Sequence, residues 1–190
     1  MKVDEEAKNF FANRRSVSAK RLKGPGPGLK EIQEIIGSSM RVPDHGKLEP
    51  WRISLILEKS KNHFIDIIEK RGKELSVEPE ILKKNKQNVI NAPLIVTIIC
   101  SPVEKSKIPK IEQVLSTGAL CLNVLNNFLV HGWGANWLTG WMAHDRQFGK
   151  EAFDLLDNEF VAGLIYVGNF DEIISDRPRP KLEDKVIWFQ

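Results

Sequence analysis

Cysteine is scarce in this chain: Cys100 and Cys121 are the only two in 190 residues, and they form no Cys-x-x-Cys motif. Both stand in apolar surroundings, which predicts buried thiols in a reducing compartment rather than metal ligands or a redox pair. A charge excess is missing too. The net charge is +3, with acids and bases interleaved along the chain. Composition therefore gives no reason to expect nucleic acid as a partner. No apolar run is long enough to span a bilayer; Ala92 to Cys100 is among the longest. The stretch Met1 to Glu6 is acidic and carries neither the basic nor the apolar region of a signal peptide. These absences predict a cytoplasmic protein without membrane association.

What remains is an ordinary globular composition, 42% hydrophobic and 28% charged. A length of 190 residues suits a single domain, 1–190, around one proper core. Asp4 to Ser16 reads as a helix capped by Asp4, with Ala7, Phe10 and Phe11 as its apolar stripe. Leu29, Ile32, Ile35 and Ile36 recur at helical spacing within Leu29 to Met40. Between these two helices, Gly24-Pro25-Gly26-Pro27-Gly28 is a linker. Its prolines lack the N–H groups a phosphate cradle needs, and no apolar strand precedes it.

Trp51 to Glu58 alternates and predicts a strand. His63 to Lys70 and Pro79 to Val89 predict helices, the second with proline in its first turn. Leu94 to Cys100 and Phe160 to Gly168 are β-branched runs, typical of strands covered on both faces. Ile111 to His131 is a long helix, apolar on most sides, which must lie in the core or against another subunit. A short strand is expected at Ala135 to Thr139, and a helix from an Asp145 cap to Leu156. The apolar end, Val186 to Gln190, follows a proline- and charge-rich arm from Asp176 to Lys185. It should dock on the chain's own sheet or on a neighbour's. The order of elements fits an α+β domain, a mixed sheet wrapped by helices.

Four clusters could carry chemistry. Arg14, Arg15 and Ser16 close the first helix, and two guanidinium groups beside a hydroxyl can grip a phosphate. Taken alone, a solvated basic helix end is the simpler reading. Met40 to Trp51 holds two prolines and a glycine, and can present His45 and Glu49 to a ligand at little entropic cost. A lone histidine is more often structural. Gly132 to Trp141 sets three tryptophans among glycines, as aromatic walls around a flat partner or simply as core. Arg177-Pro178-Arg179-Pro180 holds two guanidiniums on an extended arm, unless that arm is a disordered basic tail.

In combination and in this order, Arg-Arg-Ser, Met-Arg-x-Pro-Asp-His…Pro-Trp, the Gly/Trp strand and a late Arg-x-Arg-Pro arm resemble the nitroreductase family. The likeness is strongest to its small single-domain bacterial NAD(P)H members and runs from about Phe10 onward; Arg41 to Trp51 is its most specific part. The resemblance implies an α+β sandwich that forms a homodimer, exchanges C-terminal segments and holds two FMN molecules at the subunit interface. Arg14, Arg15 and Ser16 would bind FMN, the arginines around its phosphate and ribityl end. His45 and Glu49 would reach the same flavin from the other subunit. Trp137, Leu138 and Thr139 would line the isoalloxazine, and Arg177 with Arg179 would complete the phosphate clamp. Phe128 to Trp133 corresponds to a region associated with NAD(P)H.

The implied activity is a ping-pong reduction of nitroaromatic, quinone or similar flat small-molecule acceptors by NAD(P)H. The flavin carries the redox chemistry, so no protein nucleophile is needed. Related flavin chemistry such as reductive dehalogenation, or a non-enzymatic flavin-binding role, are the alternatives. Two positions depart from the family pattern. Glu49 stands where relatives usually carry glutamine, and an ionised carboxylate can only accept hydrogen bonds. Leu138 takes a position where relatives can have arginine.

Overall fold

The two β-branched runs lie side by side at the centre of a four-stranded sheet. The computed structural model describes residues 2–189; Met1 and Gln190 lie outside the described residues. The strands are β1 (Trp51–Leu57), β2 (Leu94–Cys100), β3 (Gly134–Leu138) and β4 (Phe160–Gly168), in the order β1-β2-β4-β3. Every residue of β2 is buried, as expected for a strand covered on both faces. Alternation divides its side chains. Ile95 and Ile99 join Ile56, Phe64, Ile68, Phe148 and Tyr166 on one face. Leu94, Val96 and Ile98 join Ile35, Leu120, Val124 and Phe128 on the other. Burying each such side chain contributes roughly 1.5–3 kcal/mol.

The helices that cover these faces are α1 (Glu5–Asn13), α2 (Leu29–Ser39), α3 (Lys61–Glu74), α4 (Pro79–Asn91), α5 (Lys110–Val130), α6 (Trp141–His144) and α7 (Arg146–Phe153). Helices α2 and α5 pack on one face of the sheet, α3 and α7 on the other. Asp4 caps α1 by accepting the Ala7 N–H at 3.0 Å, and Asp145 caps α7 through the Phe148 N–H at 2.7 Å. By length and composition alone α5 could cross a bilayer. Its contacts are those of a core helix: one side lies on the sheet, and Gln113, Ser116 and Thr117 are buried and hydrogen-bonded.

The α+β architecture and the expected order of elements are present, but the described strands pair antiparallel throughout instead of forming a mixed sheet. The connections explain this. Between β1 and β2 the chain makes two helices, α3 and α4, and so re-enters the sheet in the opposite direction. Two helices, α6 and α7, do the same between β3 and β4. The single crossover helix α5 leaves β3 running the same way as β2, but β4 has inserted between them. The expected docking of the tail is not made within this chain. Ile187, Trp188 and Phe189 are 81%, 73% and 97% exposed.

One ion pair ties β1 to the start of β4. Glu159, buried, receives the Arg52 guanidinium at 2.8 and 2.7 Å and the Leu156 N–H at 2.9 Å. The Arg52 hydrogen bonds hold the Glu159 carboxyl well below its ordinary 4.5, at about 2, against the opposing effect of burial. A depressed carboxyl adds stability that is complete above pH 4.5 and is lost as pH falls toward 2. Urea unfolding across that window should show this loss in the native protein and not in Glu159→Gln, which at neutral pH should be less stable by roughly 3 kcal/mol. On the same face, Thr97 is fully buried in β2, and its Oγ1 has no hydrogen-bond partner among the described residues. Thr97→Val removes an unpaired hydroxyl at constant shape, so its urea midpoint should rise, by about 1 kcal/mol in stability.

Candidate functional site

The arginines at the end of α1 are placed by a change of backbone. The Arg14 N–H closes the helix on Phe10 O at 2.8 Å, and the chain then runs extended. The Val17 N–H donates to Ala135 O at 2.9 Å, which lays Arg14, Arg15 and Ser16 along the outer side of β3. That side is free for them because β3 is an edge strand. The late arm comes back over the same segment. Lys23 and Asn169 exchange backbone hydrogen bonds at 2.9 and 2.8 Å, and Arg21 pairs with Glu172 at 2.9 Å. Arg15 then donates to Ser175 O, and Arg179 to Ala12 O while pairing with Asp176 at 3.1 Å. The arm that carries Arg179 therefore lies against the end of α1 that carries Arg14 and Arg15, more than 160 residues away in sequence.

Arg14 and Arg15 line a groove of about 550 Å³ whose walls also include Asn13, Trp133, Phe170, Asp171, Glu172 and Ile174. Arg14 is half-buried there and makes no side-chain hydrogen bond among the described residues. Arg177 stands exposed on the arm. The groove combines the guanidiniums of Arg14 and Arg15 with an apolar wall and the carboxylates of Asp171 and Glu172, and through Val17 it adjoins the outer edge of β3; the arginines suit the anionic end of an elongated ligand. Nucleophilic chemistry by cysteine is disfavoured. Both thiols are buried, and burial raises them, Cys121 to about 12.

The tryptophans behave differently from one another. Trp133 donates to Glu31 at 2.8 Å, Trp141 to Asn85 at 2.8 Å and Trp137 to the Ala162 carbonyl at 3.2 Å. The indole of Trp137 lies on Gly163, where any Cβ would collide with it. Trp137 belongs to the α5 side of the sheet, whereas Leu138 packs with the α3 and α7 side; Thr139 is exposed. Their side chains cannot all face one ligand. What residues 137–139 can share toward a ligand is the backbone edge. Of the stretch 128–133, Phe128 is fully buried, while Leu129, Gly132 and Trp133 line the groove.

His45 and Glu49 lie elsewhere. Their loop is left-handed at Gly46 (φ 71°), Lys47 (φ 52°) and Glu49 (φ 49°). It is held by Asp44, which accepts the Glu49 N–H at 2.8 Å, and by α5, where Ser116 donates to Pro43 O at 2.6 Å and Thr117 to Pro50 O at 3.2 Å. His45 Nδ1 meets Glu112 Oε2 at 2.7 Å. Glu112 lies in the first turn of α5, and Leu129, beside the arginine groove, in its last. At 1.5 Å per residue these points are about 26 Å apart along the helix. Within one chain, then, Arg14, Arg15, Ser16, Arg179 and β3 gather at one end of α5, and His45 and Glu49 at the other. The sequence reading missed Glu112 and Ser116. The available signal was a pair of polar residues at i and i+4 near the start of a largely apolar helix.

Among the described residues, part of the face of α5 turned away from the sheet has no partner. Ile111, Leu115 and Leu122 are 62%, 65% and 42% exposed, with Gly118 and Ala119 between them. Among the described residues no three His, Cys, Asp or Glu side chains gather as a metal site.

Known proteins resemble this chain in sequence and in fold. "Putative NAD(P)H nitroreductase YdjA" of Escherichia coli K12 is 28% identical over 163 residues, covering 86% of this chain and 87% of that protein. A nitroreductase-like family protein from Bacillus cereus superposes with a TM-score of 0.81 at 19% identity, over 100% of this chain and 98% of the other. The FMN and NADPH-dependent nitroreductase NfnB from sphigopyxis sp. strain HMH gives a TM-score of 0.77 at 17% identity, over 97% and 99% of the two chains. The model of the nitroreductase family matches residues 11–169, from the end of α1 through β4, so the chain belongs to the nitroreductase family.

Proposed function

We propose that this protein is an FMN-dependent oxidoreductase that draws electrons from NAD(P)H and reduces flat small acceptors such as nitroaromatics and quinones. The observation that carries the reading is Arg14 and Arg15 in the lining of a groove next to β3, with the arm that bears Arg179 folded against the same helix end. Arginine forks fit the dianionic oxygens of a phosphate monoester, and an unpaired strand edge fits the donors and acceptors of a flavin ring. Relatives are consistent with it: NfnB is described as FMN and NADPH-dependent, and YdjA is named for NAD(P)H.

In this reading the chain acts as one domain within a homodimer. The support is the division of the site between the two ends of α5. Packing α5 of two copies antiparallel about a two-fold axis near Gly118 and Ala119 would cover Ile111, Leu115 and Leu122. It would also carry His45 and Glu49 of one copy to the arginine groove of the other. A second copy likewise offers the exposed tail, Ile187 to Phe189, a surface to bury itself on.

Bound FMN would supply the redox chemistry, taking a hydride equivalent from the nicotinamide and passing it to the acceptor. The residues of this chain bind and orient. Arg14, Arg15 and Arg179, with Arg177 swinging in from the arm, hold the phosphate, and Ser16 adds a hydroxyl. The backbone of 137–139 fixes the ring edge. His45 and Glu49 of the second copy close the other side. A groove open on one face admits nicotinamide and acceptor in turn, which accounts for a ping-pong order without a separate dinucleotide fold.

Purified protein should be yellow and should bleach on anaerobic addition of NADPH. The double variant Arg14→Ala, Arg15→Ala should be folded and mostly colourless. Full flavin content in that variant, or a native protein that neither contains nor takes up FMN, would overturn the reading.

A further inference from the structure

Glu112 is not among the residues that the family pattern draws attention to, yet among the described residues it makes the one side-chain hydrogen bond of His45. The Nδ1–Oε2 distance of 2.7 Å is that of a charge-assisted hydrogen bond. A carboxylate only accepts, so Nδ1 carries the proton and Nε2 is the ring nitrogen left to meet a ligand. The loop that holds the imidazole is equally constrained. Ser116, one helical turn after Glu112 and on the same side of α5, anchors Pro43, the residue two before His45. Left-handed backbone at Lys47 and Glu49 is disfavoured for residues with a Cβ and persists where surrounding contacts over-determine it, a pattern that clusters at ligand sites. Gly46 lies so near Ile108 that a Cβ there would sit 2.6 Å from its Cδ1.

A cavity of about 240 Å³ adjoins the pair, walled by Pro43, Asp44, Leu115, Ser116 and Ala119. Leu115 and Ala119 also belong to the exposed apolar stripe of α5, so the pair sits at the margin of the surface that a second copy would cover. We propose that Glu112 is a positioning residue: it fixes the tautomer and direction of His45 so that Nε2 is presented to the flavin held by the other copy. This rests on the reading of His45 as a flavin contact. A stabilising role is the competing explanation, and exposure argues against it. His45 and Glu112 side chains are 65% and 43% exposed, and surface pairs of that kind add little to stability.

The test uses the full chain and FMN itself, with the dissociation constant read from flavin fluorescence and the His45 tautomer from ¹⁵N chemical shifts. His45→Ala and Glu112→Ala should each weaken FMN binding about tenfold, and the double variant should be no weaker than His45→Ala alone. Glu112→Gln, whose carbonyl still accepts from Nδ1, should restore most of the affinity. Glu112→Ala should also lose the Nδ1–H preference while its melting temperature stays at the native value. Native affinity in Glu112→Ala beside weakened His45→Ala would overturn the role of Glu112 and leave His45 as a contact. So would losses that simply add in the double variant. Native affinity in His45→Ala would overturn the reading of His45 itself, and the inference with it.

Discussion

Helix α5 is the constraint on which the rest of the molecule depends. It is rigid, 21 residues long, and one of its faces is committed to the sheet through Leu120, Val124 and Phe128. A helix of that length holds its ends about 30 Å apart, and no loop movement shortens it. Whatever is tethered to its first turn therefore stays away from whatever is tethered to its last. His45 is tethered to the first by Glu112, and the Arg14 groove abuts the last at Leu129. In the proposed reading these are two half-sites on opposite ends of one strut, which an antiparallel partner would unite.

The remaining packing serves that separation. The two faces of β2 anchor helices on both sides, so the sheet cannot flex to bring the ends closer. Because β4 inserts between β2 and β3, β3 becomes the edge, and its outer backbone is left beside Arg14 to Ser16. The late arm is pinned by backbone exchange between Lys23 and Asn169 before it turns toward α1. The late arm with Arg179 reaches the end of α1 as a consequence of topology.

Much of this was legible from local chemistry. The β-branched runs 94–100 and 160–168 coincide with β2 and β4 to the residue, because burial on both faces selects continuous apolar sequence. Asp4 and Asp145 cap where a short acceptor precedes a helix. Strand direction was not legible, since it depends on how many helices intervene, and the four-residue α6 leaves too weak a pattern to be read. At the candidate site, Arg14, Arg15 and Arg179 could be named only because Arg-Arg-Ser and the late Arg-x-Arg-Pro arm occur together in a family pattern; taken alone, the first pair reads as a solvated helix end. The tryptophans could not be apportioned: Trp133, Trp137 and Trp141 look alike in sequence, and only their partners Glu31, Ala162 and Asn85 separate them. Glu112 escaped for the same reason, its partner lying 67 residues away.

The central claim is that one ligand site is built from two chains, and subunit mixing tests it most directly. Arg14→Ala/Arg15→Ala damages one half-site and His45→Ala the other, so each variant alone binds FMN poorly. Dissociated and reassociated together, they should form hybrid dimers in which one of the two sites is intact, and FMN binding should recover at about a quarter of all sites for random pairing. If mixing restores nothing while both variants remain folded and associate, the two half-sites do not belong to a shared site.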